Sequence, residues 1–294
     1  AREAAVQPDS KSAGGARPVL TAQDHAMLRT LLHKRTGIRL EDGKEYFIEM
    51  RLCSLATDEG FGSPADVLEV LRTEESWGVL HRRVAECLAI AETSWFRDVH
   101  PFDELRRSVL PQLLQRRAAT RELRIWSAAC ASGQEPYSVA MLLREYFPQL
   151  VSWHVSLLAT DFSTSVLRRA REAVYSQIEV NRGLPAPMLV KWFRKDGLDW
   201  RLRDDARNAV EFRELNLTAP WPALPPQDVV LMRNVLLYFE PPTRRTVLRN
   251  VHRALAPDGL LFLGGGETTL TMDDSFEPVT FGRTVAYRPR PGAV

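Results

Sequence analysis

The sequence turns from a strand into a helix within Trp126-Ser-Ala-Ala-Cys-Ala-Ser-Gly133-Gln-Glu135-Pro-Tyr-Ser138. The apolar run Leu123–Ala128 predicts the strand, and helical spacing over Pro136–Tyr146 predicts the helix. A glycine and small residues at such a crossing let the backbone approach a ligand closely. The stretch has no Gly-x-Gly-x-x-Gly pattern, so its spacing alone leaves ligand binding and plain helix–strand packing equally open.

Strands and helices alternate after this crossing, which predicts an α/β fold with a mostly parallel sheet covered on both faces. Such sheets bind ligands at the carboxyl ends of their strands, so we expect functional residues directly after strands. One stretch, at about 192–212, breaks the alternation and predicts a small antiparallel insert. Further helices run from Ser163 to about Tyr175 and from Pro241 to about Leu255, and Val279–Tyr287 is a further strand or a hairpin arm. The other predicted strands are Val155–Thr160, Phe212–Leu217, Val229–Met232 and Leu260–Leu263.

The chain before residue 90 shows helical spacing and no strand pattern. Thr21 with Asp24 predicts the start of a first helix, and Gly37 predicts its end. Ser63 followed by Pro64 predicts the start of a later helix. The expected organisation is a disordered leader (1–20), an all-helical N-terminal domain (21–90), a linker that contributes to the functional site (91–105) and the α/β domain (106–294).

The composition limits the possible functions. Three cysteines without a Cys-x-x-Cys pair and six scattered histidines fit neither a disulfide framework nor a zinc site, so we expect no metal. Thirty-four arginines and five lysines form no concentrated basic stripe with interleaved aromatic residues, so we expect no nucleic-acid partner. The apolar runs are too short to cross a bilayer, and no export signal opens the sequence. We therefore expect a cytoplasmic protein without membrane insertion.

Polar residues follow the predicted strands, as expected for a site. Asp161 ends the second strand, where it suits the ribose hydroxyls of an adenosine-containing cofactor; an acid favoured by a helix dipole is the alternative. Arg233 and Asn234 follow a later strand, and a buried arginine needs partners. Ligand binding and a salt bridge at the domain interface are both open for that pair. Glu92–Asp98 lies between the two domains and contains aromatic side chains.

Five ordered segments together closely resemble the chemotaxis receptor methyltransferase family, CheR. They are Ala91–Arg97, Trp126–Ser138, Ala159–Asp161, Asn216–Leu217 and Arg233–Phe239. The resemblance implies a helical N-terminal domain joined to a class I, Rossmann-like methyltransferase domain that carries a small antiparallel insert. It also implies methyl transfer from S-adenosylmethionine, with S-adenosylhomocysteine as product. The implied acceptors are glutamate carboxylates in the acidic helical cytoplasmic region of chemoreceptors.

The resemblance assigns site residues as well. Arg97 and Tyr238 would lie nearest the transferring methyl group. Two departures from the family pattern are Ala91, in place of an asparagine, and Gln134, in place of the first of two glutamates; we expect weaker cofactor affinity with activity retained. The implied cofactor pocket comprises Thr93, Arg97, Glu135, Asp161, Asn216, Leu217, Arg233 and Asn234.

Two other functions remain open at this point. One is a methyltransferase of the same fold that acts on a different protein or on a small molecule. The other is a cofactor-binding interaction module without turnover, which the Ala91 departure motivates. A methyl-transfer experiment on receptor fragments distinguishes all three.

The expected contacts with a receptor rest on charge. Lys44 and Arg51 share a predicted helix, and with Arg35 and Arg39 they form either a docking face or ordinary solvated charges. The insert is compact and carries acidic residues between Phe193 and Leu202. We therefore expect it not to capture an acidic tether at a receptor's C-terminus by strand addition.

Overall fold

The computed structural model describes residues 20–73, 77–270 and 272–292. The predicted leader lies outside these residues except for Leu20, which is buried. The predicted all-helical N-terminal domain is confirmed. Its helices are α1 (Ala22–Thr36), α2 (Glu45–Asp58), α3 (Pro64–Thr73) and α4 (Val79–Leu88).

The ends of α1 follow from its sequence. The Thr21 hydroxyl accepts the Asp24 N–H (3.2 Å), and the Asp24 carboxylate accepts the Thr21 N–H (2.8 Å), which makes a capping box. Gly37 ends the helix with φ 68° and donates its N–H to the His33 carbonyl. A Cβ at residue 37 would lie 2.7 Å from the Thr218 methyl group. This glycine therefore also lets α1 approach the second domain closely.

The second domain alternates strands with helices after a helical linker. The predicted linker contains α5 (His100–Glu104), which continues into the domain as a π-helical turn (Leu105–Val109) and α6 (Leu110–Arg116). The first half of the domain contains β1 (Glu122–Ala128), α7 (Gln134–Tyr146), a 3₁₀ turn (Pro148–Ser152), β2 (His154–Asp161), α8 (Thr164–Glu172), β3 (Val174–Tyr175), α9 (Gln177–Val180), α10 (Ala186–Trp192), β4 (Phe193–Asp196), β5 (Asp199–Leu202) and α11 (Asp204–Arg207). The second half contains β6 (Val210–Glu214), β7 (Gln227–Met232), a 3₁₀ turn (Leu236–Tyr238), α12 (Pro241–Ala254), β8 (Leu255–Leu263), β9 (Phe276–Phe281) and β10 (Thr284–Pro289).

Seven strands form the main sheet in the order β6-β2-β1-β7-β8-β10-β9. The neighbouring strands β6, β2, β1, β7 and β8 are parallel to one another. The strand β10 is antiparallel to both β8 and β9. The predicted α/β class with a mostly parallel sheet is confirmed. From β1 the chain adds β2 and then β6 on one side of the sheet, and from β7 it adds β8 on the other side. The ends of these two strands are therefore the expected place for a ligand.

The antiparallel insert is a separate sheet with the order β3-β5-β4, and its bounds differ from those predicted. Periodicity predicts a helix to about Tyr175, whereas Ala173 adopts φ 51° and ends α8, and β3 pairs with β5. The predicted range of about 192–212 thus misses β3 and includes Phe212, which lies in β6 of the main sheet. A strand of two residues has no periodicity of its own and forms only through this long-range pairing.

Three other strand boundaries differ from the predicted ones. β6 ends at Glu214, so Leu217 lies in the loop after the strand. β8 begins at Leu255, which pairs with Gln227 ahead of a register shift. The end of the chain, predicted as a further strand or a hairpin arm, forms the hairpin of β9 and β10.

Helices cover both faces of the main sheet. The helices α1–α4 and α12 pack against the face that carries Trp126 and Val230. The helices α5, α6 and α7 pack against the opposite face, which carries Ile125 and Leu231. Neighbouring residues of a strand point to opposite faces, so one apolar run serves both cores. Among the described residues, no helix combines the length and apolar character that a membrane crossing requires.

Candidate active site

A cleft lies between the two domains, where β1, β2, β6 and β7 end. It encloses about 900 Å³, its open mouth included. That size suits a small-molecule cofactor. Every residue predicted for the site lines this cleft: Thr93, Arg97, Glu135, Asp161, Asn216, Leu217, Arg233, Asn234 and Tyr238.

Asp161 lies on the floor of the cleft and is 8% exposed. One carboxylate oxygen accepts the Ala131 N–H and the other accepts the Ser163 N–H, each at 3.0 Å. Burial raises the pKa of this carboxyl to about 6, although the backbone donors oppose the shift. Each oxygen retains a second lone pair for a ligand hydroxyl.

Glu135 and Arg233 form a buried ion pair on the same floor. The Glu135 carboxylate accepts the Ser127 hydroxyl (2.8 Å) and an Arg233 guanidinium N–H (3.1 Å). Arg233 also donates to the Asp98 carboxylate (2.6 Å) and to the Arg97 carbonyl (2.7 Å). These partners lie in the α/β domain and in the linker, so in the described residues the Arg233 salt bridges fix the linker against the floor and do not join the helical domain to the α/β domain.

Asn234 adopts φ 59° at the turn that follows β7. Its N–H donates to the Glu267 carboxylate (2.7 Å). Its buried side-chain oxygen has no hydrogen-bond partner among residues 20–73, 77–270 and 272–292. A Cβ at Gly264 would lie 2.6 Å from the Asn234 side-chain nitrogen, so a glycine is required beside it. A buried acceptor without a donor suits the N–H group of a ligand.

Asn216 and Leu217 form the wall after β6. The Asn216 amide donates to the Arg35 carbonyl of α1 (2.6 Å), and its oxygen accepts the Thr218 N–H (3.0 Å) and hydroxyl (2.9 Å). Asn216 thus joins the helical domain to the cleft wall through protein contacts. Leu217 is buried and presents an apolar surface.

The entrance of the cleft is formed by Thr93, Arg97 and Tyr238, all half-buried. Arg97 donates to the Glu92 carbonyl (3.2 Å). Burial raises the pKa of Tyr238, and the nearby positive charge of Arg97 partly opposes this shift. The residues on either side of Arg97 have positive φ, 45° before it and 67° after it. Residues other than glycine rarely adopt such angles, so the contacts around this segment must hold its backbone and thereby place Arg97 at the entrance.

Two residues that sequence reasoning missed support the site. Glu86 of α4 is buried and accepts the N–H and hydroxyl of Thr164, both at 2.9 Å, so the helical domain caps α8 beside Asp161. Glu267 accepts the N–H groups of Asn234 and Gly264, each at 2.7 Å, and holds the turn after β7. The available signal for Glu86 was an acid on the apolar face of a predicted helix, between Val84 and Leu88.

The parallel sheet, its antiparallel final strands and the cleft at the strand ends define an S-adenosylmethionine-dependent methyltransferase. Residues 91–285 match the family described as CheR methyltransferase, SAM binding domain, and residues 23–88 match CheR methyltransferase, all-alpha domain. The chain belongs to the CheR family, and it is a methyltransferase of chemotaxis.

Relatives match the chain over nearly its whole length. It is 36% identical to chemotaxis protein methyltransferase 1 of Pseudomonas aeruginosa over 272 residues, covering 91% of this chain and 98% of the relative. It is 33% identical to chemotaxis protein methyltransferase Cher2 of Pseudomonas putida, with the same coverage. It is 34% identical to chemotaxis protein methyltransferase 1 of Vibrio cholerae, covering 92% of this chain and 98% of the relative.

The residues of the cleft fit S-adenosylmethionine. The buried Asp161 carboxylate suits the two hydroxyls of a ribose, and the apolar Leu217 suits the face of a purine ring. The carboxylate of Glu135 and the partnerless oxygen of Asn234 suit a positively charged amino group. The family, the cleft and its donor and acceptor groups therefore agree on one cofactor.

Proposed function

We propose that this methyltransferase esterifies glutamate carboxylates in the acidic helical cytoplasmic region of chemoreceptors. The observation that carries the proposal is the pairing of a guanidinium and a phenol, Arg97 and Tyr238, at the half-exposed end of the cofactor cleft. A guanidinium is suited to a carboxylate acceptor. The relatives' names, chemotaxis protein methyltransferase, support a substrate within the chemotaxis system.

The cofactor would be held mainly by the floor residues. Asp161 would accept the ribose hydroxyls, and Leu217 with Asn216 would flank the adenine. Glu135 and the Asn234 oxygen would accept the amino group, while the ion pair with Arg233 keeps Glu135 in place. When bound, the cofactor supplies an electrophilic methyl group on its sulfonium.

The acceptor needs orientation rather than activation. A glutamate carboxylate has an ordinary pKa of about 4.3, so it is ionised at neutral pH without a general base. Arg97 would orient it through a partial contact, since a full bidentate contact would reduce its nucleophilicity. Tyr238 would line the path between the acceptor oxygen and the cofactor. Alignment and exclusion of water would then supply most of the acceleration.

The test is transfer of a tritiated methyl group to cytoplasmic fragments of receptors. The product would be a glutamyl methyl ester, so mild alkali should release the label as methanol, because hydroxide attacks an ester carbonyl. Base-stable label would contradict carboxylate methylation and favour a different acceptor. Cofactor binding without labelling of any acceptor would favour the interaction module.

The basic residues near the cleft would bind the acidic receptor. All four basic residues, Arg35, Arg39, Lys44 and Arg51, are exposed. The Arg35 guanidinium lies 4.3 Å from the ring centroid of Trp77, and that of Arg51 lies 5.2 Å from the ring centroid of Phe47. Charge complementarity of this kind accelerates association and depends on salt. We therefore expect a salt-dependent KM for receptor fragments.

The insert is proposed not to tether the enzyme to a receptor tail. Its edge strand β4 has only four residues, and Asp199 lies in the neighbouring β5. Asp196 pairs with Arg201 (2.6 Å). The carboxylates of Asp196 and Asp199 are negative and would disfavour an acidic tail. Initial methylation rates on fragments with and without the C-terminal tail test this. A fall of about tenfold on tail removal, equal to about 1.4 kcal/mol, would contradict it.

A further inference from the structure

Helix α12 carries three arginines along one line of its surface. Arg245, Arg249 and Arg253 are exposed and follow one another at intervals of four residues. The residues Val247 and Val251 are fully buried against the sheet, so the arginines occupy the side of the helix that faces away from it. The line is about 12 Å long, at 1.5 Å per residue.

This line of charge has no compensation within the described protein. The helix from Pro241 to Ala254 contains no acidic residue. Within residues 20–73, 77–270 and 272–292, Arg245, Arg249 and Arg253 form no ion pair or side-chain hydrogen bond. Like charges four residues apart repel each other along a helix, although the helix dipole favours Arg253 in the last turn. An anion that lies against the three arginines would relieve this repulsion.

The helix begins at the entrance of the active site. Arg244, in its first turn, donates to the carbonyls of Phe239 (2.7 Å) and Leu237 (3.4 Å). These contacts fix α12 to the turn that carries Tyr238. A substrate helix whose glutamate lies at the entrance can therefore continue along the outer side of α12.

An acidic helix matches this surface better than a lipid surface does. Carboxylates four residues apart on a helix repeat at the same interval as the three arginines, so two adjacent helices can pair in register. A membrane-bound amphipathic helix needs apolar residues that enter the lipid. The apolar side of α12 is buried, and the neighbours of the arginines on its outer side are Thr246 and Pro242.

We propose that Arg245, Arg249 and Arg253 form a docking surface for an acidic helix of the substrate bundle, outside the segment that is methylated. This inference rests on the proposed function. It places a second contact on the methyltransferase domain, separate from the basic residues of the helical domain.

The test replaces the three arginines by glutamate (R245E/R249E/R253E) in the full chain. The KM for a receptor fragment should rise about tenfold at low salt, because the arginine charges steer the encounter with the fragment. The difference in KM between the variant and the unaltered enzyme should shrink at high salt, because salt screens these charges. The kcat and the affinity for S-adenosylhomocysteine should stay within about twofold. The matched control is R107E/R283E/R290E, which changes the net charge equally at three exposed but scattered positions.

Each outcome decides the inference. A larger rise in KM for the α12 variant than for the control supports it, and equal changes overturn it. Loss of binding to phosphatidylserine vesicles with an unchanged KM overturns it in favour of a lipid surface. If the unaltered enzyme labels no receptor fragment, the proposed function itself fails; labelling with an unchanged KM refutes only the docking surface.

Discussion

The floor and the entrance of the cleft are built differently. On the floor, Glu135, Asp161 and Arg233 are 7–8% exposed and bonded to backbone groups or to one another. At the entrance, Arg97 and Tyr238 are half-buried, and the Arg97 guanidinium donates to a single carbonyl in the described residues. The groups of the floor are thus held by protein contacts, whereas the entrance retains groups for a second molecule.

This difference teaches where each step is controlled. Groups that are already fixed lower the cost of ordering a ligand and so set cofactor affinity. Groups that gain contacts only when the acceptor arrives set the rate of transfer. Changes on the floor and at the entrance should therefore give different kinetic signatures.

The largest expected effect is on the floor. Asp161→Ala should weaken S-adenosylmethionine binding at least about a hundredfold, because two ribose hydroxyls lose a charged acceptor, each bond being worth about 1.5–3 kcal/mol. Calorimetry on a folded variant measures this. Asp228→Asn is the control, since Asp228 is equally buried but binds Arg117 and the Arg124 N–H away from the cleft. Unchanged affinity of the Asp161 variant would contradict the assignment of Asp161 as the acceptor of the ribose hydroxyls.

Changes at the entrance should affect turnover instead. Arg97→Ala and Tyr238→Phe should each lower kcat about tenfold or more, with cofactor affinity changed less than about threefold, since their contacts form mainly with the acceptor. Arg97→Lys, which keeps the charge but not the planar fork, should have an intermediate effect. Equal losses of cofactor binding and turnover would assign both residues to cofactor binding, and the proposed difference between floor and entrance would be wrong.

The pH dependence of cofactor binding should report the floor alone. The ionised Asp161 carboxylate is the better acceptor for two hydroxyls, and its pKa of about 6 means that it gains a proton as the pH falls through that value. Cofactor affinity should therefore be about tenfold lower at pH 5 than at pH 7. Asp161→Asn should bind weakly and without this dependence. A wild-type affinity that is flat over this range would contradict the role of the carboxylate.

The sequence predicted the parts of the site that follow from the order of the strands and from residues close together in the chain. Parallel strands bring their carboxyl ends to one edge, so Asp161 and the loops after β1 and β7 were expected to meet. The capping box of α1 and the N-cap at Ser163 are likewise encoded within four residues.

Features that depend on distant partners could not be predicted in this way. The strand β3 exists because it pairs with β5, and Glu86 acts through a helix 78 residues away in the chain. For Arg233 the sequence signalled only that a buried cation needs partners. Its partners, Glu135 and Asp98, lie 98 and 135 residues away in the sequence.

The smallest expected effect concerns Ala91, which is exposed and lines the cleft. The resemblance implies an asparagine at this position in the family. Ala91→Asn should tighten cofactor binding about two- to tenfold, since one added neutral hydrogen bond is worth about 0.5–1.5 kcal/mol. Ala91→Leu is the control, because leucine has nearly the shape of asparagine and no polar group. The two variants separate a hydrogen bond from simple filling of space in a titration with S-adenosylhomocysteine. Equal affinities for both variants would show that position 91 adds no polar contact to the cofactor.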